Sequence, residues 1–267
     1  MQELTLEEIK EIQLGILDDM AAFCDANGIK YWIDYGTLLG AVRHEGYIPW
    51  DDDVDVGMLR EDYDRFLRLY NQREGSCYSV HTVELDKNYY FPYAKIHDDR
   101  TVLYSPDING KKFAVNVDIF PYDDAPLTER AYKKMHKRQE RFFMLDALRN
   151  TKDHVPSGNR IRKLAVNASI LALKLFPSNY FVGCIAKNAV SNKDKRTPYI
   201  STFVAAFDGR ADKHIFDEMI ELPFEQKRYK APSRYDEWLT ILYGDYMTPP
   251  PVEKRGTNHN YIAFMKE

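Results

Sequence analysis

The chain has 267 residues, 44% hydrophobic and 29% charged, the makeup of an ordinary globular protein of one to two domains. Its 37 basic and 41 acidic residues give a net charge of −4, which excludes a global drive toward nucleic acid or membrane and leaves electrostatic partner choice to local patches. Cys24, Cys77 and Cys184 are widely spaced and form no CxxC pair, so they read as reduced thiols rather than a disulfide framework or a zinc site.

The N-terminus, MQELTLEEIKEIQ, is acidic and amphipathic and lacks the basic and apolar regions of a secretory signal. No window approaches the ~18 apolar residues of a membrane span. A cytoplasmic location is expected. Thr5 and Glu8 form a capping box ahead of Leu6, Ile9, Ile12, Ile16, Met20 and Phe23, apolar at helical spacing, and Asn27-Gly28 ends that helix. Ile29–Tyr35 reads as a β-rich run stopped by Gly36, Thr37–Arg43 as a short helix, and His44–Asp52 as a loop. Asp53–Met58 alternates as a strand and Glu61–Tyr70 as a charged amphipathic helix. Further strands are expected at Tyr78–Val83, Phe91–His97 and Phe113–Phe120. From Thr128 the pattern turns helical, over Thr128–Asn150, Asn159–Phe176 and Asn179–Asn192, with breaks at 156–158 and 177–178. Short strands at Tyr199–Val204 and Ile220–Tyr229, a helix capped near Ser233 and ending at Gly244, and a Pro-rich then polar tail complete the reading. This is an α+β arrangement: a mixed sheet in residues 1–127 and a largely helical region, 128–267, packed on it.

The stretch YGTLLGAVRHEGYIPWDDDVDVGM (35–58) carries the chemistry. Residues two apart on a strand share a face, so Asp53 and Asp55 project together while Val54 and Val56 enter the core. Adjacent carboxylates repel unless a cation neutralises them, and all-oxygen ligands suit a hard ion, Mg²⁺ or Mn²⁺, shared with substrate phosphates. In AVNVDIF (114–120), Asp118 lies on the face opposite Val115, Val117 and Ile119, and completes a three-carboxylate catalytic and metal cluster if this strand lies beside Asp53–Val56. Asp51 and Asp52 read as flanking loop residues. Gly36-Thr37 sits where a strand turns into a helix, whose free N–H groups and dipole suit a phosphate. Phosphate cradle and carboxylates together outline a phosphoryl-transfer site.

At this point the sequence resembles a known family. GTLLGAVRHEGYIPWDDDVDVGM, with VDIFPYDD (117–124) and YGDYMTPPP (243–251) following in order, is similar to the LicD family of bacterial phosphocholine transferases, related to the fukutin-type glycan transferases. The resemblance implies a nucleotidyltransferase-like fold and metal-dependent transfer of phosphocholine from CDP-choline to a sugar of a teichoic acid or lipopolysaccharide. Asp53 and Asp55 match the family's metal pair, Asp118 its third acid, and Gly36-Thr37 its phosphate loop. A CDP-linked polyol phosphate donor, a true nucleotidyltransferase consuming NTP, and a non-catalytic nucleotide-binding module are the alternatives.

Around this centre, Tyr93, Lys95 and His97 share a strand face, which aims Lys95 at a pyrophosphate oxygen, and Arg43 is a similar candidate. A choline headgroup accepts no hydrogen bond and is held by aromatic faces. Trp50 is the first such candidate, with Tyr35, Tyr93, Tyr104 and Tyr122 behind it, and Arg255 and His259 stand ready to close over the nucleotide. In the helical half, Lys133, Lys134, Lys137, Arg138 and Arg141, then Arg160, Arg162 and Lys163 ahead of LAVNASILALKLF, suggest peripheral contact with an anionic membrane bearing a lipid-linked glycan acceptor.

Overall fold

A short strand β1 (Gln2–Glu3) leads into helix α1 (Leu6–Asn27). The capping box forms, with Glu8 N–H donating to Thr5 Oγ1 at 3.3 Å and Thr5 N–H to Glu8 Oε2 at 2.8 Å. Gly28 closes the helix in the left-handed region, φ 61°. The computed structural model of the chain describes residues 1–104, 112–151, 160–205, 209–256 and 261–266. Strand β2 is only Trp32–Ile33, shorter than the run expected over Ile29–Tyr35. The cause is Asp34, whose carboxylate accepts the Tyr35 N–H at 2.9 Å and starts helix α2 (Tyr35–His44). Strand β3 (Asp55–Leu59) starts two residues later than expected, so Asp53 lies in the loop and does not share a strand face with Asp55. That loop is pinned from elsewhere: the Gln13 amide and the Tyr261 hydroxyl both donate to the Asp52 carbonyl, at 2.9 and 2.8 Å.

Helix α3 (Arg60–Tyr70) follows, then β4 (Tyr78–His81), β5 (Ala94–Asp98), β6 (Thr101–Tyr104), β7 (Lys112–Phe113) and the nine-residue β8 (Asn116–Asp124). The helical run comprises α4 (Glu129–Asn150), capped by Thr128, then α5 (Arg160–Leu173) and α6 (Tyr180–Ala189). The expected breaks at 156–158 lie outside the described residues. After a 3₁₀ turn at Val190–Lys195 come β9 (Tyr199–Ser201) and β10 (Ala211–Asp212). The single strand expected at Ile220–Tyr229 is a hairpin, β11 (Met219–Phe224) and β12 (Lys227–Pro232), joined by a two-residue turn in which Glu225 takes φ 56°. Helix α7 (Tyr235–Tyr243) is flanked by Arg234, not capped by Ser233. The tail is not merely polar: it ends in β13 (Ile262–Met265), which pairs with both β1 and β6.

β8 organises the main sheet. Along one edge it pairs in parallel with β3, which pairs antiparallel with β2. Along the other it takes β5, backed by β4, and at its C-terminal end β9, backed by β10. Strands held on both sides bury both faces, and Val54, Val56, Met58, Val117 and Ile119 are all fully buried. A second antiparallel sheet, in the order β1-β13-β6-β7, joins the chain's first and last strands. One core cluster draws residues from α1 to α7, on both sides of Leu127.

Gly57 has a packing role in this arrangement. It pairs with Trp32 across β2 and β3, and a methyl there would stand 2.3 Å from the buried indole ring. Gly57→Ala is expected to destabilise the fold by about 1–3 kcal/mol, read as a lower melting temperature with the secondary structure retained.

Candidate active site

The parallel register sets Asp55 directly beside Asp118 at the N-terminal ends of β3 and β8. Both carboxylates are buried to within 9% exposure, so this end of the sheet encloses them. In the loop leading to β3, the carboxylate oxygens of Asp51, Asp52 and Asp53 lie within 4.8 Å of one another. Asp51 and Asp52 thus gather with Asp53 in the loop ahead of β3. Burial pushes the Asp55 carboxyl well above the usual carboxylate range, and the charges of Asp53, Asp118, Asp34 and Asp51 push it further. Asp53, Asp118, Asp34 and Asp51 thus all act on one buried carboxyl.

The start of α2 closes one side. Thr37 is buried and its hydroxyl oxygen accepts the Asp55 N–H at 2.8 Å, which fixes the first residue of β3 against the helix start. Gly36 lies against Asp51: a Cβ there would meet the Asp51 carboxylate at 2.6 Å, so only glycine admits this approach. Gly36 and Thr37 thus lie at the start of α2 beside Asp51 and Asp55, and Thr37 orders Asp55.

Lys95 on β5 reaches across to β8. Its Nζ donates to Asp118 Oδ1 at 2.5 Å and to Asn116 Oδ1 at 3.1 Å, and stands 4.6 Å from the Phe91 ring centroid and 5.3 Å from that of Tyr93. Tyr93 in turn packs on Phe120 with ring centroids 4.6 Å apart. The structure therefore brings Asp55, Asp118, Lys95 and Tyr93 together. His97, two residues on, stacks on His81 at 4.4 Å and is held neutral, its pKa lowered first by burial and then by His81 and Lys95.

Other candidates serve differently. Arg43 donates to the Tyr246 carbonyl at 2.7 Å, tying α2 to the YGDYM segment. The Arg255 guanidinium lies 4.9 Å over the Trp50 ring, so one face of that indole already carries a cation from the chain itself. Tyr122 is fully buried and donates to Asp34 at 2.5 Å. Tyr104 packs against Phe264 in the second sheet, 5.9 Å between centroids. His259 lies outside the described residues.

Sequence reasoning missed Asp34, Tyr243 and Tyr261. Asp34 is fully buried and, besides Tyr35 and Tyr122, accepts the Trp238 indole N–H at 2.7 Å, so one carboxylate fastens α2, β8 and α7. Burial raises its pKa while those donors oppose the rise. Tyr243 at the end of α7 and Tyr261 ahead of β13 have phenols raised by burial and by the same acids, Asp55 for Tyr243 and Asp52 for Tyr261 foremost. The only signal for Tyr243 was its place in the YGDYM segment.

An enclosed acidic cluster with an adjoining lysine and a helix start, on a mixed sheet, marks a class of protein: an enzyme that transfers phosphorylated groups. Sequence comparison carries this to a family. Residues 28–155 match the family described as LicD/FKTN/FKRP, nucleotidyltransferase domain. Over 270 aligned residues, 99% of this chain and 100% of the relative, the sequence is 32% identical to the lipopolysaccharide cholinephosphotransferase LicD of Haemophilus influenzae. It is 39% identical over 71 residues, 27% of this chain and 13% of the relative, to the human ribitol 5-phosphate transferase FKRP. A Rickettsia prowazekii protein of uncharacterised function is 46% identical over 65 residues, 24% of each chain. The chain belongs to the LicD family and is a phosphotransferase.

Proposed function

We propose that this protein transfers phosphocholine from CDP-choline to a sugar hydroxyl of a cell-surface glycan precursor, lipopolysaccharide or teichoic acid, and releases CMP. The single observation that carries the reading is the end-to-end similarity to a cholinephosphotransferase, together with the acids at the strand ends of a core we read as nucleotidyltransferase-like.

The gathered carboxylates of Asp51, Asp52 and Asp53, with the buried and strongly raised Asp55 and its neighbour Asp118, are a donor set of hard oxygens that fits a divalent cation. Asp53, Asp55 and Asp118 would hold Mg²⁺ or Mn²⁺, which when bound supplies charge neutralisation to the pyrophosphate of the donor. Lys95 and the α2 start with Gly36-Thr37 bind the pyrophosphate oxygens and stabilise the charge that develops there. Asp118 orients the acceptor hydroxyl and takes its proton. The acceptor oxygen forms a bond to the choline-bearing phosphorus, the bridging P–O bond breaks, and the electron pair leaves with CMP. Tyr93, with Trp50 and Arg43 further out, lines the donor's path, and a lipid-linked glycan is the acceptor.

Turnover is tested by following CMP from CDP-choline with a glycan precursor, with and without EDTA. CMP formed only with divalent metal supports the reading; pyrophosphate formed from an NTP would replace it with a nucleotidyltransferase. The 71-residue similarity to a ribitol 5-phosphate transferase favours one second reading, a CDP-linked polyol phosphate donor, for which CDP-ribitol in the same assay is decisive.

Metal binding has its own readout. Because the folded Asp55 carboxyl is raised above its unfolded value, its stability contribution is complete at pH below the ordinary carboxylate range and is lost as pH rises through the raised value. A cation that replaces the proton restores it. Mg²⁺ is therefore expected to raise the melting temperature at neutral pH and much less at acid pH; equal shifts at both, or none, would count against a metal at these acids.

A further inference from the structure

Helix α4 carries Arg130, Lys134, Lys137, Arg141 and Met144 at intervals of four, three, four and three, which places them along one stripe. All five side chains are exposed, while Tyr132, Met135 and Gln139 face inward. An ordinary solvated helix face mixes signs and pairs them. Here Glu129 is taken by Lys133 at 3.3 Å and Arg210 at 3.4 Å, and Glu140 lies by His136 at 3.9 Å. Among the described residues no carboxylate pairs with Arg130, Lys134, Lys137 or Arg141. The stripe lines a groove of about 1080 Å³ against the Val190–Lys195 turn, with Arg138 and Lys195 also contributing, on a chain whose net charge is −4. Such a concentration of uncompensated cations selects a polyanion.

The far end of the stripe is apolar. Arg149 Nε donates to the Phe176 carbonyl at 3.0 Å and fastens the α5–α6 connection to the end of α4. The end of α5 and that connection present Leu171 and Leu175, 71% and 87% exposed, followed by the exposed Phe176 and Tyr180, whose rings lie 4.8 Å apart and tilted. Lys174 stands exposed between the two leucines. Single exposed leucines are common, but a cluster of leucine and aromatic side chains fastened to the end of the helix that lines a basic groove is the makeup of a surface that lies on lipid. A soluble polyanion has no use for Leu175. No helix among the described residues is long and apolar enough to cross a membrane, so the contact this face offers is lateral.

We propose that the α4 stripe and the α5–α6 tip dock the protein on an anionic phospholipid bilayer, with headgroup phosphates along Arg130, Lys134, Lys137 and Arg141 and the Leu175-Phe176 side chains in the headgroup–acyl boundary. The proposal requires no particular donor or acceptor, and its test involves no turnover. In vesicle flotation, the wild-type chain is expected to rise with phosphatidylcholine vesicles containing phosphatidylglycerol and not with phosphatidylcholine alone. Lys134→Glu/Lys137→Glu/Arg141→Glu is expected to weaken this binding by on the order of a hundredfold, and Leu175→Ser/Phe176→Ser by on the order of tenfold. The single variants Lys134→Gln, Lys137→Gln and Arg141→Gln should give a graded loss, independent of how the triple variant folds. Failure of the wild type to float with anionic vesicles, or undiminished flotation of the charge-reversed chain, would overturn the proposal. So would polyphosphate binding lost in the triple variant while Leu175→Ser/Phe176→Ser floats as well as wild type, since the groove would then serve a soluble polyanion.

Discussion

Asp55→Asn is expected to lower the transfer rate by roughly a thousandfold while leaving the fold intact and the metal-free protein more stable. The two effects have one origin. Asp55 is buried, faces the charges of Asp53, Asp118, Asp34 and Asp51, and so carries an unfavourable charge that only a bound cation or a proton relieves. The amide keeps the shape, and its backbone N–H retains the bond to Thr37 at 2.8 Å. The charge that attracts the metal is gone, and with it the dependence of stability on pH that this group confers. Melting curves of wild type and variant without metal should therefore separate toward neutral pH, where the wild-type carboxyl must ionise, and converge in acid. A variant that is both inactive and less stable would point instead to a structural role for Asp55.

Asp123→Ala is expected to destabilise the protein by about 3–5 kcal/mol while the remaining folded molecules keep the active-site acids in place. Asp123 is completely buried and receives both arms of Arg60, Nε to Oδ1 and the terminal nitrogen to Oδ2, each at 2.8 Å. Glu84 meets the other terminal nitrogen at 3.0 Å. Arg60 starts α3 and Asp123 lies near the end of β8, so the pair clamps the helix to the sheet at the end opposite Asp55 and Asp118. Removing the carboxylate leaves a buried guanidinium with only the partly exposed Glu84 and Asp64, at 3.0 and 3.5 Å, whereas Arg60→Met with Asp123→Leu leaves no buried charge behind and should recover most of the loss. Denaturant titration of the three proteins checks this; a cost for Asp123→Ala below about 1 kcal/mol would show that water reaches Arg60.

Much of this was legible in the sequence where the signal is local. The capping box at Thr5, the left-handed Gly28 and the short helix over Thr37–Arg43 all depend on residues within a few positions of one another. Asp118 beside Asp55 was legible because alternation gave the face and the adjacency needed only one parallel pairing. What failed depended on distant partners. The strand at Asp53 was expected from alternation, yet Gln13 and Tyr261, 39 and 209 residues away, hold the Asp52 carbonyl and keep that stretch a loop. Asp34 looked like part of a strand end; its value as an anchor comes from Tyr122 and Trp238, 88 and 204 residues on. The Ile220–Tyr229 hairpin was missed because its turn, Glu225-Gln226, contains neither glycine nor asparagine.

The central claim is the transferred group, and one measurement addresses it directly. The purified protein is incubated with CDP-choline, Mg²⁺ and a glycan precursor, and CMP and the mass of the glycan are quantified in the same sample. The account predicts that glycan gains one phosphocholine unit for every CMP released, and that Asp55→Asn does neither. CMP release without modified glycan, or a glycan modified only when CDP-ribitol or an NTP replaces CDP-choline, would contradict it.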